Sequence, residues 1–138
     1  MKFTAKEQYG LRAMAELARH YGRGPVSLAE VAEAQGLPLP YLEQIVAPLR
    51  EAGLVRSTRG AHGGYELARA PETITAGDII RALEGSILPI TCVDDCDTAF
   101  CEREETCPTR SVWAQVRDRL VETLDSITLA DLRPPQDA

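Results

Sequence analysis

Cysteine offers the most concentrated chemistry in this chain. All four cysteines fall in one stretch, spaced Cys92-x3-Cys96-x4-Cys101-x5-Cys107. Thiolates gathered so closely point to a single local site: a soft metal centre, an iron–sulfur cluster or a thiol switch. The bland alternative is buried cysteines that cluster by chance. Structural zinc sites usually combine two close pairs such as C-x2-C. Here no C-x2-C occurs and the gaps widen steadily, which weakens zinc, although neither ferredoxin spacing is matched either. With no C-x-x-C, phosphate loop or nucleophile–base–acid set, a redox enzyme is disfavoured and the chain reads as a non-enzyme.

A second group of residues could read nucleic acid. Tyr41, Glu43 and Gln44 lie near the start of an amphipathic segment, and Arg59 and His62 lie in a glycine-rich turn. Gln can pair bidentately with adenine, and a carboxylate can accept from the cytosine amino group. An arginine on a turn suits phosphate or a narrow minor groove.

The elements that must position these groups are signposted. Thr4-Ala5-Lys6-Glu7 and Ser27-Leu28-Ala29-Glu30 fit the capping box, and Thr75…Asp78 and Thr128…Asp131 its acidic variant. The first cap opens a helix whose apolar stripe is Leu11, Met14, Ala18 and Tyr21, ending before Gly22-Arg23-Gly24-Pro25. A short helix over 28–35 ends at Gly36, and a third begins at Pro40, a residue well tolerated in a first helical turn. Tyr41, Leu42, Ile45 and Leu49 form its apolar side; Pro48 predicts a bend or break. Strand-like 54–57 and 64–67 flank the turn 58–63, and a helix follows over 76–84. Val112, Val116, Leu120, Leu124 and Ile127 then make a sustained helical seam, with Trp113 expected in core packing. Helix, short helix, turn, helix and hairpin is the order of a winged helix-turn-helix, a fold that also serves as a protein-interaction module. The fold class is therefore mainly α with a small β-hairpin wing.

Charge first argues against DNA, because the 138 residues carry a net charge of −6. It is unevenly spread. Residues 1–69 hold nine Lys/Arg against seven Asp/Glu, a balance of +2, whereas residues 70–138 hold six against fourteen, a balance of −8. The first half can approach phosphate and most of the second cannot. The opening Met1-Lys2-Phe3-Thr4 does not read as a signal peptide, and no apolar run approaches the roughly 18 residues of a membrane span. A cytoplasmic protein without membrane association is expected, in which structural disulfides are disfavoured.

Several segments together are specific. Tyr41-Leu42-Glu43-Gln44, Leu49-Arg50-Glu51-Ala52-Gly53-Leu54-Val55 and Arg59-Gly60-Ala61-His62-Gly63-Gly64-Tyr65 closely resemble the IscR-like family of winged-helix iron–sulfur transcription regulators. The opening Lys2-Phe3-Thr4-Ala5-Lys6 and Ser126-Ile127-Thr128-Leu129-Ala130-Asp131-Leu132 are similar to that family too. The resemblance implies a homodimer joined by the long C-terminal helix. It also implies a palindromic double-stranded DNA operator read by Tyr41, Glu43 and Gln44, with the wing residues Arg59 and His62 on the backbone or minor groove. Pro40 departs from the family's frequent serine, which can cap the helix and touch DNA, so residue 40 is not carried over as a DNA contact.

The resemblance further implies a cluster, 2Fe–2S in preference to 4Fe–4S, held by Cys92, Cys101 and Cys107 with a variable fourth ligand. The IscR type uses a histidine three residues after the last cysteine, a position held here by Arg110, which cannot ligate. Cys96 is the natural fourth ligand. Asp94, Asp95, Asp97, Glu102 and Glu104 remain options, as does an acidic residue near position 8 of a partner subunit, where Gln8 is a poor donor beside Glu7. His20 and His62 are read as surface residues without a metal role. The organisation expected is a winged helix-turn-helix over 1–85, a cluster-binding loop over 86–108, a dimerisation helix and short terminal helix over 109–132, and a tail over 133–138. The function implied is a DNA-binding regulator sensing redox, iron or cluster status; the alternative is a DNA-binding regulator with zinc or thiol-switch cysteines.

Overall fold

The computed structural model describes residues 3–61, 63–85, 87 and 108–132. Three reciprocal capping boxes start three helices. Thr4 and Glu7 open α1 (Ala5–Arg19), Ser27 and Glu30 open α2 (Leu28–Gln35), and Thr75 and Asp78 open α4 (Ala76–Glu84). Each box satisfies two amides that a helix start leaves without partners. At the end of α2, Gly36 takes the left-handed conformation (φ 63°), letting the Leu37 amide donate to the Ala32 carbonyl at 2.9 Å and the chain turn into α3 (Leu39–Glu51).

Two expectations for α3 need correction. It begins at Leu39, one residue before Pro40. Proline fits the second helical position as well as the first, because that N–H is also one of the unpaired ones. Nor does Pro48 break the helix, which continues to Glu51. The carbonyl it leaves without a helical donor belongs to solvent-exposed Gln44, while buried Ile45, Val46 and Leu49 hold the final turn to the core.

The wing is an antiparallel hairpin of β1 (Val55–Thr58) and β2 (Gly64–Leu67), pairing Val55 with Leu67 and Thr58 with Gly64. β1 starts one residue later than expected, because the Leu54 amide still donates to Leu49 at the exit of α3. Val26 adds a short third edge, exchanging 2.9 and 2.8 Å backbone bonds with Tyr65. The core lies between these elements: Met14 and Leu17 of α1, Val31 of α2, Leu42, Ile45 and Leu49 of α3, Val55 and Leu67 of the hairpin, and Ile79 and Leu83 of α4.

A 3-10 turn (Pro71–Thr73) precedes α4; beyond residues 88–107 come α5 (Arg110–Ser126) and α6 (Leu129–Leu132). The far end of α5 is fastened to the body. The Ala76 amide donates to Ile127 at 2.8 Å and the Leu129 amide to Ile74 at 2.9 Å, and Leu129 is fully buried. Gly77 makes this approach possible, since a Cβ there would overlap the Asp125 carboxylate. Along its length, by contrast, α5 has no buried residue. Trp113, expected in the core, is 37% exposed, and Val112 is 51% exposed. The helix packs on α4 through its C-terminal end, where Asp125 and Ile127 meet Arg81 and Ala76. Tyr21 is likewise exposed, because α1 stops at Arg19 and carries its stripe no further.

Candidate nucleic-acid interface

The 3.6-residue period divides α3 into two faces. Leu42, Ile45, Val46 and Leu49 point into the core, which leaves Glu43 and Gln44 exposed side by side near the N-terminal end. Tyr41 is half-buried and meets Tyr9 of α1 edge to face, with ring centroids 5.3 Å apart and planes at 85°. Pro40 is exposed beside it.

The hairpin carries three arginine or histidine positions of different kinds. Arg56 is tied across the ladder to Glu66 at 3.0 Å, so its charge is compensated. Arg59 stands just past β1, exposed and without an ion pair among the described residues. The turn beneath it closes through the Gly63 amide donating to Gly60 at 3.0 Å. His62 lies outside the described residues.

The four cysteines, Cys92, Cys96, Cys101 and Cys107, also lie outside the described residues, as do Asp94, Asp95, Asp97, Glu102 and Glu104. Arg110, at the position a histidine would need, is the first residue of α5 and is half-buried. Glu7 is already engaged: its carboxylate accepts the Thr4 amide at 2.9 Å inside the first cap, and it is buried. The neighbouring Gln8 donates its side-chain amide to the Phe3 carbonyl. His20 lies 3.4 Å from the buried Glu16 carboxylate, which also meets Arg19 at 3.5 Å. Among the described residues, no three His, Cys, Asp or Glu side chains gather as a metal site.

The sequence reading missed the residues of α1 that reach towards α2 and α3. Arg12 donates to the Gln35 carbonyl at the end of α2, and its guanidinium sits 5.9 Å from the Tyr9 ring. Gln35 in turn donates to Glu16 at 2.9 Å. The signal was present in the spacing, since Tyr9, Arg12 and Glu16 follow one another at three and four residues and share a helix face.

Among the described residues no helix is long and apolar enough to cross a membrane. The model of the Rrf2 family, described as an iron-dependent transcriptional regulator, matches residues 3–134. The HTH-type transcriptional regulator CymR of Bacillus subtilis (strain 168) is 49% identical over 132 residues, spanning 96% of this chain and 89% of that one. The solved structure of CymR, the global cysteine regulator of B. subtilis, superposes with a TM-score of 0.81 at 47% identity over 99% of both chains. IscR of T. potens superposes with a TM-score of 0.77 at 52% identity, over 96% of this chain and 85% of the other. These relatives are transcriptional regulators and not enzymes, and their hairpin-bearing helical fold is the one described above. The chain belongs to the Rrf2 family of transcriptional regulators.

Proposed function

We propose that this regulator binds operator DNA as a homodimer in the cytoplasm and that its cysteine loop adjusts the affinity. The division of α3 carries the DNA reading: one face is locked in the core while Glu43 and Gln44 project together from the other. Placed in a major groove, Gln44 would read adenine and Glu43 cytosine, with Tyr41 beside them. Arg59, with His62, would hold phosphate or the minor groove from the wing. The +2 balance of residues 1–69 favours this side of the molecule for phosphate.

The second copy follows from α5. Val116, Leu120 and Leu124 line a groove of about 530 Å³ with Phe3, and none of these seam residues is fully buried. A matching helix from a second protomer would bury it. Two α3 helices related by a twofold axis then call for a palindromic operator.

Four thiols form a donor set that fits an iron–sulfur cluster, with Cys92, Cys101 and Cys107 as ligands and Cys96 as the fourth. Arg110 has no lone pair to offer, and Glu7 is held in its cap. When bound, a cluster (2Fe–2S is the favoured type) supplies a one-electron change and a dependence on iron. The chain supplies the rest. The loop runs directly into α5, whose far end is fixed to α4, and α4 packs on both α1 and α3. A change in the loop is thus delivered to the body through one helix and biases two arrangements of the dimer. The cysteine spacing, which matches neither ferredoxin pattern, supports a second reading, in which the thiols bind zinc or switch by oxidation. Metal analysis of anaerobically purified protein separates the two: iron with labile sulfide supports the first, and zinc or no metal supports the second. The DNA reading is tested by selection from a randomised duplex pool, where recovery of no preferred sequence would overturn it.

A further inference from the structure

We propose that Arg12 is a positioning residue that sets the orientation of α3 for sequence-specific DNA binding. The inference rests on the reading of α3 as the base-contacting helix. Arg12 links the two sides of the turn between α2 and α3, directly at Gln35 and through the Tyr9 ring at Tyr41. Its guanidinium donates to the carbonyl of Gln35, the last residue of α2 before the left-handed Gly36. It also lies 5.9 Å from the Tyr9 ring, whose edge-to-face partner is Tyr41 in the first turn of α3. Gln35 is gripped twice from α1, by Arg12 at its backbone and by Glu16 at its side-chain amide, 2.9 Å away. Arg12 and Glu16 are one turn apart on the same face, so a single rigid helix holds both contacts.

The rest of the unit leaves this grip something to do. Pro38 at the start of α3 makes no side-chain cap, unlike Thr4, Ser27 and Thr75 at the starts of α1, α2 and α4. The angle at which α3 leaves the turn therefore depends on core packing and on what α1 holds from outside. A small tilt moves Glu43 and Gln44 relative to base edges, where hydrogen bonds demand close geometry, but barely alters contacts to the phosphate backbone. Arg12 should act on discrimination between sequences more than on general affinity.

The test uses the full chain, the duplex that the wild-type protein selects from a randomised pool, and a scrambled duplex of the same composition. Affinities for both are measured over a salt series. Arg12→Met should lower the preference for the selected duplex about three- to tenfold, the worth of one hydrogen bond, with the salt slope unchanged. Arg12→Lys, which keeps a cation and a donor, should restore most of the preference. Arg12 is exposed, so neither variant threatens the core. Tyr9→Leu, which removes the ring link and keeps an apolar side chain against the core, should shift the preference in the same direction. An equal loss on both duplexes, with a salt slope smaller by about one, would make Arg12 a direct phosphate contact and overturn the proposal. An unchanged preference in Arg12→Met would overturn it too. A wild-type chain that selects no sequence overturns the DNA reading itself, a different result from either.

Discussion

Arg81 and Asp125 meet in a two-pronged pair, Nη1 to Oδ1 at 2.8 Å and Nη2 to Oδ2 at 2.7 Å, joining α4 to the last turn of α5. This pair and the backbone bonds beside it fix the C-terminal end of the long helix.

The pair should leave an acid signature. The Arg81 guanidinium, by its hydrogen bonds first and its charge as well, holds the Asp125 carboxyl below its ordinary value of 3.8. A carboxyl lowered in the folded state stabilises the fold above that ordinary value, and the contribution fades as pH falls below it through the lowered one. Asp125→Asn should therefore flatten the acid limb of the stability profile between pH 4 and lower values. Both side chains are more than a third exposed, which keeps the effect below about 1 kcal/mol. Urea unfolding at stepped pH checks this, and an acid limb as steep in Asp125→Asn as in wild type would contradict it.

Gly77→Ala should destabilise, although glycine to alanine inside a helix ordinarily gains about 0.5–1 kcal/mol. The added methyl would strike the Asp125 carboxylate and push it off its two-pronged pair with Arg81, a charged hydrogen-bonded contact whose loss costs about 1–3 kcal/mol. In an Asp125→Ala background the same change should be harmless, so a double-mutant cycle reads the contact directly.

Leu120→Glu places a charge in the apolar seam of α5. Sedimentation should then show a dimer for the wild type and a monomer for Leu120→Glu, with the melting of the winged domain little changed. A wild-type chain that sediments as a monomer would remove the second copy from the account.

Gln44→Ala and Arg59→Ala should fail differently on the selected duplex. Losing Gln44 should cost about 1–3 kcal/mol and relax preference at one base position. Losing Arg59 should weaken all sequences alike and reduce the salt slope by about one. Binding-site selection repeated with each variant distinguishes the two patterns.

Much of this architecture was legible in the sequence because its signals are local. A capping box depends on residues three apart, and Thr4–Glu7, Ser27–Glu30 and Thr75–Asp78 all form as read. Gly36 likewise announced the left-handed turn. What misled was tertiary override. Pro48 breaks a ladder locally, but Ile45, Val46 and Leu49 hold the helix together. Trp113 looked like core because its composition is apolar, yet burial depends on where α5 runs. Arg12 went unnoticed because its spacing with Tyr9 and Glu16 marks a shared helix face but not its partner, the backbone of Gln35, which only folding brings there. Glu43 and Gln44 were readable as an exposed pair, since the helical period alone assigns their face.

The most direct test of the central claim compares wild type with Cys101→Ala after anaerobic reconstitution with iron and sulfide. Visible absorbance and affinity for the selected duplex are read on the same samples, with and without metal. Wild type should absorb in the visible and change its affinity when the metal is removed. Cys101→Ala should lose the absorbance and bind DNA with one affinity throughout. A Cys101→Ala protein that keeps both the absorbance and the regulated binding would contradict the role assigned to the cysteine loop.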